Sequence, residues 1–373
     1  MSGAETPAVD DAPPKAVSVA DIERELNELL RQPIGPDGQE MINWACMSNL
    51  IIYCATEEQF NRVTAEIGLI VRHHPARVLV LVGDATKAGD QLEAYVSAAC
   101  HILGGGRKSC SEYVTLSAGG PATRRLPNMV RSLLIGDLPT DLWWSHNEPP
   151  PAGGDLFNEL AGMSNQIIYE SVSWPSPVKS VVTMAQWAAN PDSSLTISDL
   201  GWRRLKPWRR ILGQSLDPGV TPEALESITE VIFDHGPHTL QQVWLLVGWL
   251  ACRLNWKPLG GKVVPGEALT WRFQSPRGTV SITAKRHSEL SPEIHRMALN
   301  WKSAGKTHTA DFAVAGPNRL AVTMKDPDMP PRYLLSPYQS RAELIAKQLP
   351  DRGRDELFDQ TLQLSRQMAE SMG

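Results

Sequence analysis

The sequence predicts an α/β protein, with a mostly parallel sheet or sheets and flanking helices, followed by a smaller α+β region of antiparallel β-meander and C-terminal helices. Three observations lead there. From Trp44 onward, short apolar runs alternate with longer stretches of helical period, the pattern of βα units whose strands are covered on both faces. Near Gly260–Gly261 the pattern changes to strict alternation of apolar and polar residues between turn signals. The 373 residues are 42% hydrophobic and 21% charged, enough apolar content for extended cores and inconsistent with wholesale disorder.

Residues 1–17, rich in Pro, Ala and Asp without periodicity, read as a disordered leader. Ser18-x-x-Asp21 resembles a capping box, and Ile22, Leu26, Leu29 and Leu30 mark one face of a short helix ended by Pro33–Gly38. Residues 49–54 (NLIIYC) and 76–82 (ARVLVLV) read as buried parallel strands, joined by a helix with Phe60, Val63, Ile67, Ile70 and Val71 on its inner face. Further strands are expected at 111–116, 141–144, 166–169, 194–198 and 230–233. Helices are expected from Leu126, over 178–189 and over 207–216, with another opening at Thr221-Pro222-Glu223. Residues 240–254 are apolar nearly all round, so that helix belongs in a core. After 261, Leu269, Trp271 and Phe273 alternate, Ser275-Pro-Arg-Gly278 is a type I turn signature, and Val280, Ile282 and Ala284 alternate again: a hairpin. Strands at 296–302, 307–314 and 319–325 continue the meander, and helices over 341–349 and 354–368 close the chain. The expected domains are therefore 18–261, with two βα sub-units at about 18–150 and 155–261, and 262–373.

The formal charge of −5 supplies no electrostatic footprint for nucleic acid or for an anionic membrane. The longest apolar run, Val243 to Cys252, is too short to span a bilayer, which takes roughly 20 residues, and the first twenty residues hold no apolar signal region. A cytoplasmic protein is the expectation. Charge is nevertheless uneven: residues 262–373 hold 16 basic and 12 acidic side chains, so a mildly basic C-terminal region follows an acidic one. Five cysteines without a CxxC argue against both a disulfide framework and a zinc knuckle, so reduced thiols and no metal site are expected.

Three groups of residues are candidates for chemistry or recognition. Gly104, Gly105, Gly106, Arg107 and Lys108 form a glycine-rich basic loop that could cradle an anion or touch a partner. The glycines precede a strand, so the loop matches neither a P-loop nor a dinucleotide fingerprint. Asp84, Asp199 and Asp234 each follow a strand, where open α/β sheets bind ligands, although Asp is also the ordinary turn and cap residue there. Residues 199–210 concentrate Trp202, Arg203, Arg204, Trp208 and Arg209, residue types that anchor protein interfaces, against the alternative that the tryptophans are core. His73 and His74 are adjacent on a helix and point apart, and neither Gly-x-Ser-x-Gly nor HExxH occurs.

The runs Ser48–Tyr53, His101–Leu116 (with GGGRKSCSEYVTL), Leu138–Trp144 and Asp199–Leu212 (DLGWRRLKPWRRIL) resemble, in this order, the OpcA family of glucose-6-phosphate dehydrogenase assembly proteins, in its cyanobacterial variety. The resemblance spans about residues 20–370. It implies a non-catalytic partner, without cofactor, that binds glucose-6-phosphate dehydrogenase, promotes its active oligomer and activates it allosterically in the oxidative pentose phosphate pathway. It also implies thioredoxin-linked redox control. Here the last cysteine is Cys252, and Cys110 beside Lys108 is the candidate reactive thiol. The alternative is a sugar-phosphate-binding enzyme or sensor that uses the strand-end crevice together with the Gly104–Lys108 loop.

Overall fold

A computed structural model of the protein describes residues 14–31, 42–44, 46–102, 108–172, 174–190, 194–221, 223–264, 268–325 and 328–372. The first sheet contains β1 (Lys15–Val17), β2 (Ile42–Trp44), β3 (Ser48–Cys54), β4 (Ala76–Asp84), β5 (Leu92–Ile102), β6 (Lys108–Gly119), β7 (Thr140–Trp144), β8 (Gln166–Tyr169) and β9 (Thr196–Asp199). Its helices are α1 (Ile22–Arg31), α2 (Glu57–His73), α3 (Leu126–Leu133), α4 (Gly154–Ala161) and α5 (Pro177–Ala188). Next come α6 (Leu200–Arg204), α7 (Lys206–Ser215) and α8 (Leu240–Arg253). The second sheet contains β10 (Ile228–His235), β11 (Lys257–Val264), β12 (Ala268–Ser275), β13 (Gly278–Arg286), β14 (Ile294–Ser303), β15 (Lys306–Val314), β16 (Arg319–Lys325) and β17 (Asp328–Leu335). Helices α9 (Arg341–Gln348) and α10 (Glu356–Glu370) end the chain.

The first sheet runs β1-β5-β6-β4-β3-β7-β8-β9, with β2 beside β6. Strands β6, β4, β3, β7, β8 and β9 are mutually parallel, whereas β5 is antiparallel to β6. Every residue of β3 is buried, as its unbroken apolar run requires. Thr56 starts α2 by accepting the amide of Gln59, and Val63, Ile67, Ile70 and Val71 then pack on one face of the sheet.

The second sheet runs β11-β12-β13-β10-β14-β15-β16-β17. Strand β10, which the sequence pattern assigns to the run of βα units, lies in the middle of this sheet, parallel to β13 and antiparallel to β14. The expected boundary at residue 261 therefore has no counterpart in the sheets. Apolar alternation identifies a strand without saying which sheet receives it. One face of the sheet is covered by α8, whose buried Trp244 donates to the Ser365 carbonyl of α10 at 3.1 Å. Gly248 permits that approach, because a Cβ there would stand 2.6 Å from Ser365 Oγ.

Three further expectations change. Residues 15–17, placed in the disordered leader, pair with β5. The helix expected at Thr221-Pro222-Glu223 does not form: Glu223 takes φ 65°, outside the right-handed region, and a short 3-10 turn follows at Leu225–Ser227. Strand β5 adds a long hairpin to the first sheet that periodicity did not reveal.

The C-terminal helices do not stay with the second sheet. Leu344, Ile345 and Leu349 of the α9 segment join the cluster formed by β3, β4 and α2, and Arg341 forks onto Glu66 of α2 at 2.9 Å. Between α9 and α10 the chain crosses the amino ends of β7, β8 and β9. There Gln166 donates to the Asp351 carbonyl, Thr196 donates to the Arg352 carbonyl, and Arg352 grips Asp141 through two bonds of 2.9 and 2.6 Å.

Candidate functional site

Open parallel sheets bind ligands outside the carboxyl ends of their strands, beside helix N-termini. At the central β3–α2 turn, Cys54-Ala-Thr-Glu-Glu58, no glycine opens the backbone, and the Thr56 hydroxyl and the Gln59 side chain already occupy the amides of Gln59 and Ala55. Glu57 and Glu58 add two carboxylates to the first turn. These residues do not fit the pyrophosphate of a dinucleotide, whose charge they would repel.

The three strand-end acids do not converge. Asp84 bonds the amide and hydroxyl of Thr86 within its own turn, which holds its carboxyl below the usual range. Asp199 caps α6 by accepting the Gly201 amide at 2.7 Å, and it accepts the Ser171 hydroxyl at 2.5 Å. Burial pushes its carboxyl up to about 6, with these hydrogen bonds acting in the opposite sense. Asp234 belongs to the second sheet, where it contacts His287 at 2.8 Å and Arg296 at 3.1 Å.

The Trp/Arg segment folds into the α6–α7 corner and is used largely inside the chain. Trp202 and Trp208 are buried, which places them in the core and not on an open surface. The Trp202 indole donates to Asp355 at 2.8 Å, while the Arg209 guanidinium lies 3.5 Å over its ring and donates to the Trp202 carbonyl. Burial pushes the Arg209 group down to about 10. Arg203 bonds Gln348 and, at 3.2 Å, Asp351. Arg204 bonds Glu170 at 3.0 Å and the Gln339 carbonyl at 2.8 Å. These partners lie in the β8–α5 connection and the C-terminal segment, about 35 to 150 residues away, so sequence reasoning could not have supplied them.

Gly104, Gly105, Gly106 and Arg107 lie outside the described residues, and Lys108 sits at the amino end of β6, opposite Ile102 and Ile42. The carboxyl-end crevice is at the other end of the parallel strands from the Lys108 backbone. Cys110 is no free thiol: it is buried and bonded to Cys100, its direct cross-strand neighbour, with the Cα atoms 4.1 Å apart. This also corrects the expectation of five reduced thiols. Adjacency on two strands, invisible in a ten-residue spacing, brings the sulfurs together.

What the sequence did not disclose is a cleft of about 860 Å³ beside the carboxyl ends of β8 and β9. Glu170, Arg203, Arg204 and the first turn of α7 form one wall, and the chain ends around Ile294, Arg319 and Leu335 of the second sheet form the other. Its basic side chains come from α6, α7, β16 and α9, and only the first two groups share a run in the sequence.

The chain matches two family domains in succession. Residues 51–186 match the glucose-6-phosphate dehydrogenase subunit N-terminal domain of OpcA-type assembly proteins, and residues 195–362 match the corresponding C-terminal domain. An OpcA protein of Nostoc punctiforme, named for the OxPP cycle, is 32% identical over 208 residues, covering 55% of this chain and 43% of that protein. Its counterpart in Synechocystis is 30% identical over 200 residues, covering 53% and 41%. The matched region thus spans less than half the length of these relatives. Among solved structures, an oxidoreductase domain protein from Kribbella flavida superimposes with a TM-score of 0.52 at 12% identity, over 86% of this chain and 95% of that one, a likeness of fold alone. Among the described residues no helix is long and apolar enough to cross a membrane.

Proposed function

The chain belongs to the OpcA family, and from that premise we propose that it is a non-catalytic protein partner of glucose-6-phosphate dehydrogenase. It binds the dehydrogenase, favours its active oligomer and raises its activity in the oxidative pentose phosphate pathway. The observation that carries the reading is the succession of both dehydrogenase-subunit domains across residues 51–362. The central turn supports it, because Thr56, Gln59, Glu57 and Glu58 occupy the place a dinucleotide enzyme keeps open for phosphate.

Recognition is assigned to the basic region 262–373 and the half-buried Arg203 and Arg204 of the α6–α7 corner, with Trp202, Trp208 and Arg209 holding that corner in shape. The test is reconstitution: the purified chain is added to a cognate dehydrogenase while substrate saturation and sedimentation are followed. A lower half-saturation or higher turnover together with a heavier boundary is expected. Unchanged saturation and an unchanged boundary refute the reading. Thioredoxin is a weaker candidate partner, because the Cys100–Cys110 pair is buried and the three other thiols carry no common motif.

A further inference from the structure

The cleft between the two sheets carries an excess of positive charge among its described residues. Lys206, Arg210, Arg319 and Lys347 line it, and none of them makes an ion pair among the described residues; Glu343, one turn earlier in α9, feels the Lys347 charge, and Arg319 lies 5.5 Å over the Tyr333 ring. Of the two carboxylates in the wall, Glu170 is paired with Arg204, while Glu293 accepts the Ser291 hydroxyl and keeps its charge, one against the four cations. In a chain of formal charge −5, four unpaired cations around one concavity are a local reversal of sign.

Helix α7 adds a second, independent feature. Its ten residues begin in the wall of the cleft at Lys206-Pro207-Trp208, no side chain caps its N-terminus, and its first turn holds no acid. Pro207 has no N–H and the Arg209 amide is bonded to the Leu205 carbonyl, so what the first turn brings to the space of the four cations is the positive end of the helix. Backbone N–H groups with Lys and Arg are the donors that phosphoryl oxygens take. The volume is within the range of sites for small organic ligands and far larger than a lone inorganic ion needs.

We propose that this cleft binds a small phosphorylated metabolite carrying two or more phosphoryl charges, with α7 and Lys206 holding one phosphoryl group and Arg210, Arg319 and Lys347 supplying the remaining countercharge. The cleft lies off the central β3–β7 position that a dinucleotide would take, so the site is one of binding and sensing. It couples directly to the α6–α7 corner, since Arg203 donates to the carbonyl of Lys347 itself at 3.1 Å and bonds Gln348, the next residue of α9.

The test uses the full chain alone, which separates it from the dehydrogenase reading. Pyrophosphate and ATP are titrated calorimetrically, with adenosine as the uncharged comparison. Binding of both anions, weakening with salt, and no heat from adenosine are expected. In the doubly charge-reversed variant Lys206→Glu/Arg210→Glu the affinity should fall at least tenfold. Lys179→Glu, a reversal on exposed α5 away from the cleft, should leave it unchanged. Both variants alter exposed side chains, and an unchanged thermal midpoint verifies folding. Absence of heat with either anion at millimolar concentration overturns the proposal, as does an equal loss in both variants. A decaglutamate peptide that binds more tightly than pyrophosphate and loses affinity in the double variant also overturns it, assigning the cleft instead to an acidic protein segment.

Discussion

Replacing Arg352 by alanine should destabilise the protein by about 3 to 5 kcal/mol, because it strands a carboxylate where water cannot reach it. The Asp141 side chain is 0% exposed at the amino end of β7, while Arg352 is partly exposed and spans both its oxygens. Burial already pushes the Asp141 carboxyl up, and Arg352 is the main influence holding it down. With the guanidinium gone, the carboxyl must stay charged with only the Ser48 hydroxyl beside it or take up a proton. The deficit should therefore be largest near pH 7 and shrink as acid neutralises the group. At roughly 2.1 cal/mol/K of unfolding entropy per residue, a loss of about 4 kcal/mol lowers the midpoint by about 5 °C. Differential scanning calorimetry of wild type, Arg352→Ala, Asp141→Asn and the double variant gives the cycle. Asparagine at 141 should recover a large part of the loss in the double variant, since no buried charge remains. A single-variant loss under about 1 kcal/mol, or losses that simply add, would refute the reasoning.

Other outcomes follow from the same geometry. The raised Asp199 carboxyl, at about 6 against an ordinary value near 4, favours the protonated folded state, so it contributes stability that is present below about pH 4 and lost as pH rises to about 6. Its size is about 3 kcal/mol, and Asp199→Asn should flatten that part of the denaturant midpoint against pH; parallel curves for the two proteins would remove the argument. Thiol titration of the unreduced, denatured chain should count three groups, Cys46, Cys54 and Cys252, and a count of five would contradict the Cys100–Cys110 bond. If the basic region docks the dehydrogenase, raising sodium chloride from 50 to 500 mM, concentrations chosen to shorten the screening length from roughly 14 Å to 4 Å, should weaken the complex several-fold in sedimentation, and a salt-independent affinity would speak against it.

The βα units were legible because their strands are continuous apolar runs and their helices carry single apolar faces. Strands β3 and β4 and helix α2 are of this kind, and α8 was legible because it is apolar nearly all round. The edges were not. Strand β11 contains Gly260 and Gly261, and β17 contains Pro330 and Pro331, residues that an edge tolerates because one row of its amides needs no partner. In the candidate site, the chemical character of residues 199–210 was visible but their use was not. Whether an arginine faces solvent, an indole or a carboxylate depends here on residues 339–358, brought back by the fold. The cleft was hidden for the same reason, since Lys206 and Arg210 meet Arg319 and Lys347 only in three dimensions.

The return of α9 and α10 to the first sheet bears on how the chain is made. A ribosome releases β3, α2, β4 and β7 long before residues 341–370, yet the Asp141 carboxylate, Glu66 of α2 and the Trp202 indole N–H receive Arg352, Arg341 and Asp355 from that later stretch. Such contacts, separated by about 150 to 275 positions, carry a large loop-closure entropy and form late. The nascent first sheet therefore waits with an open apolar flank until residues 341–370 have been made. Cutting the gene after residue 261 would leave that wait permanent, and the shortened product should be a substrate for chaperones and proteases in place of a tractable domain.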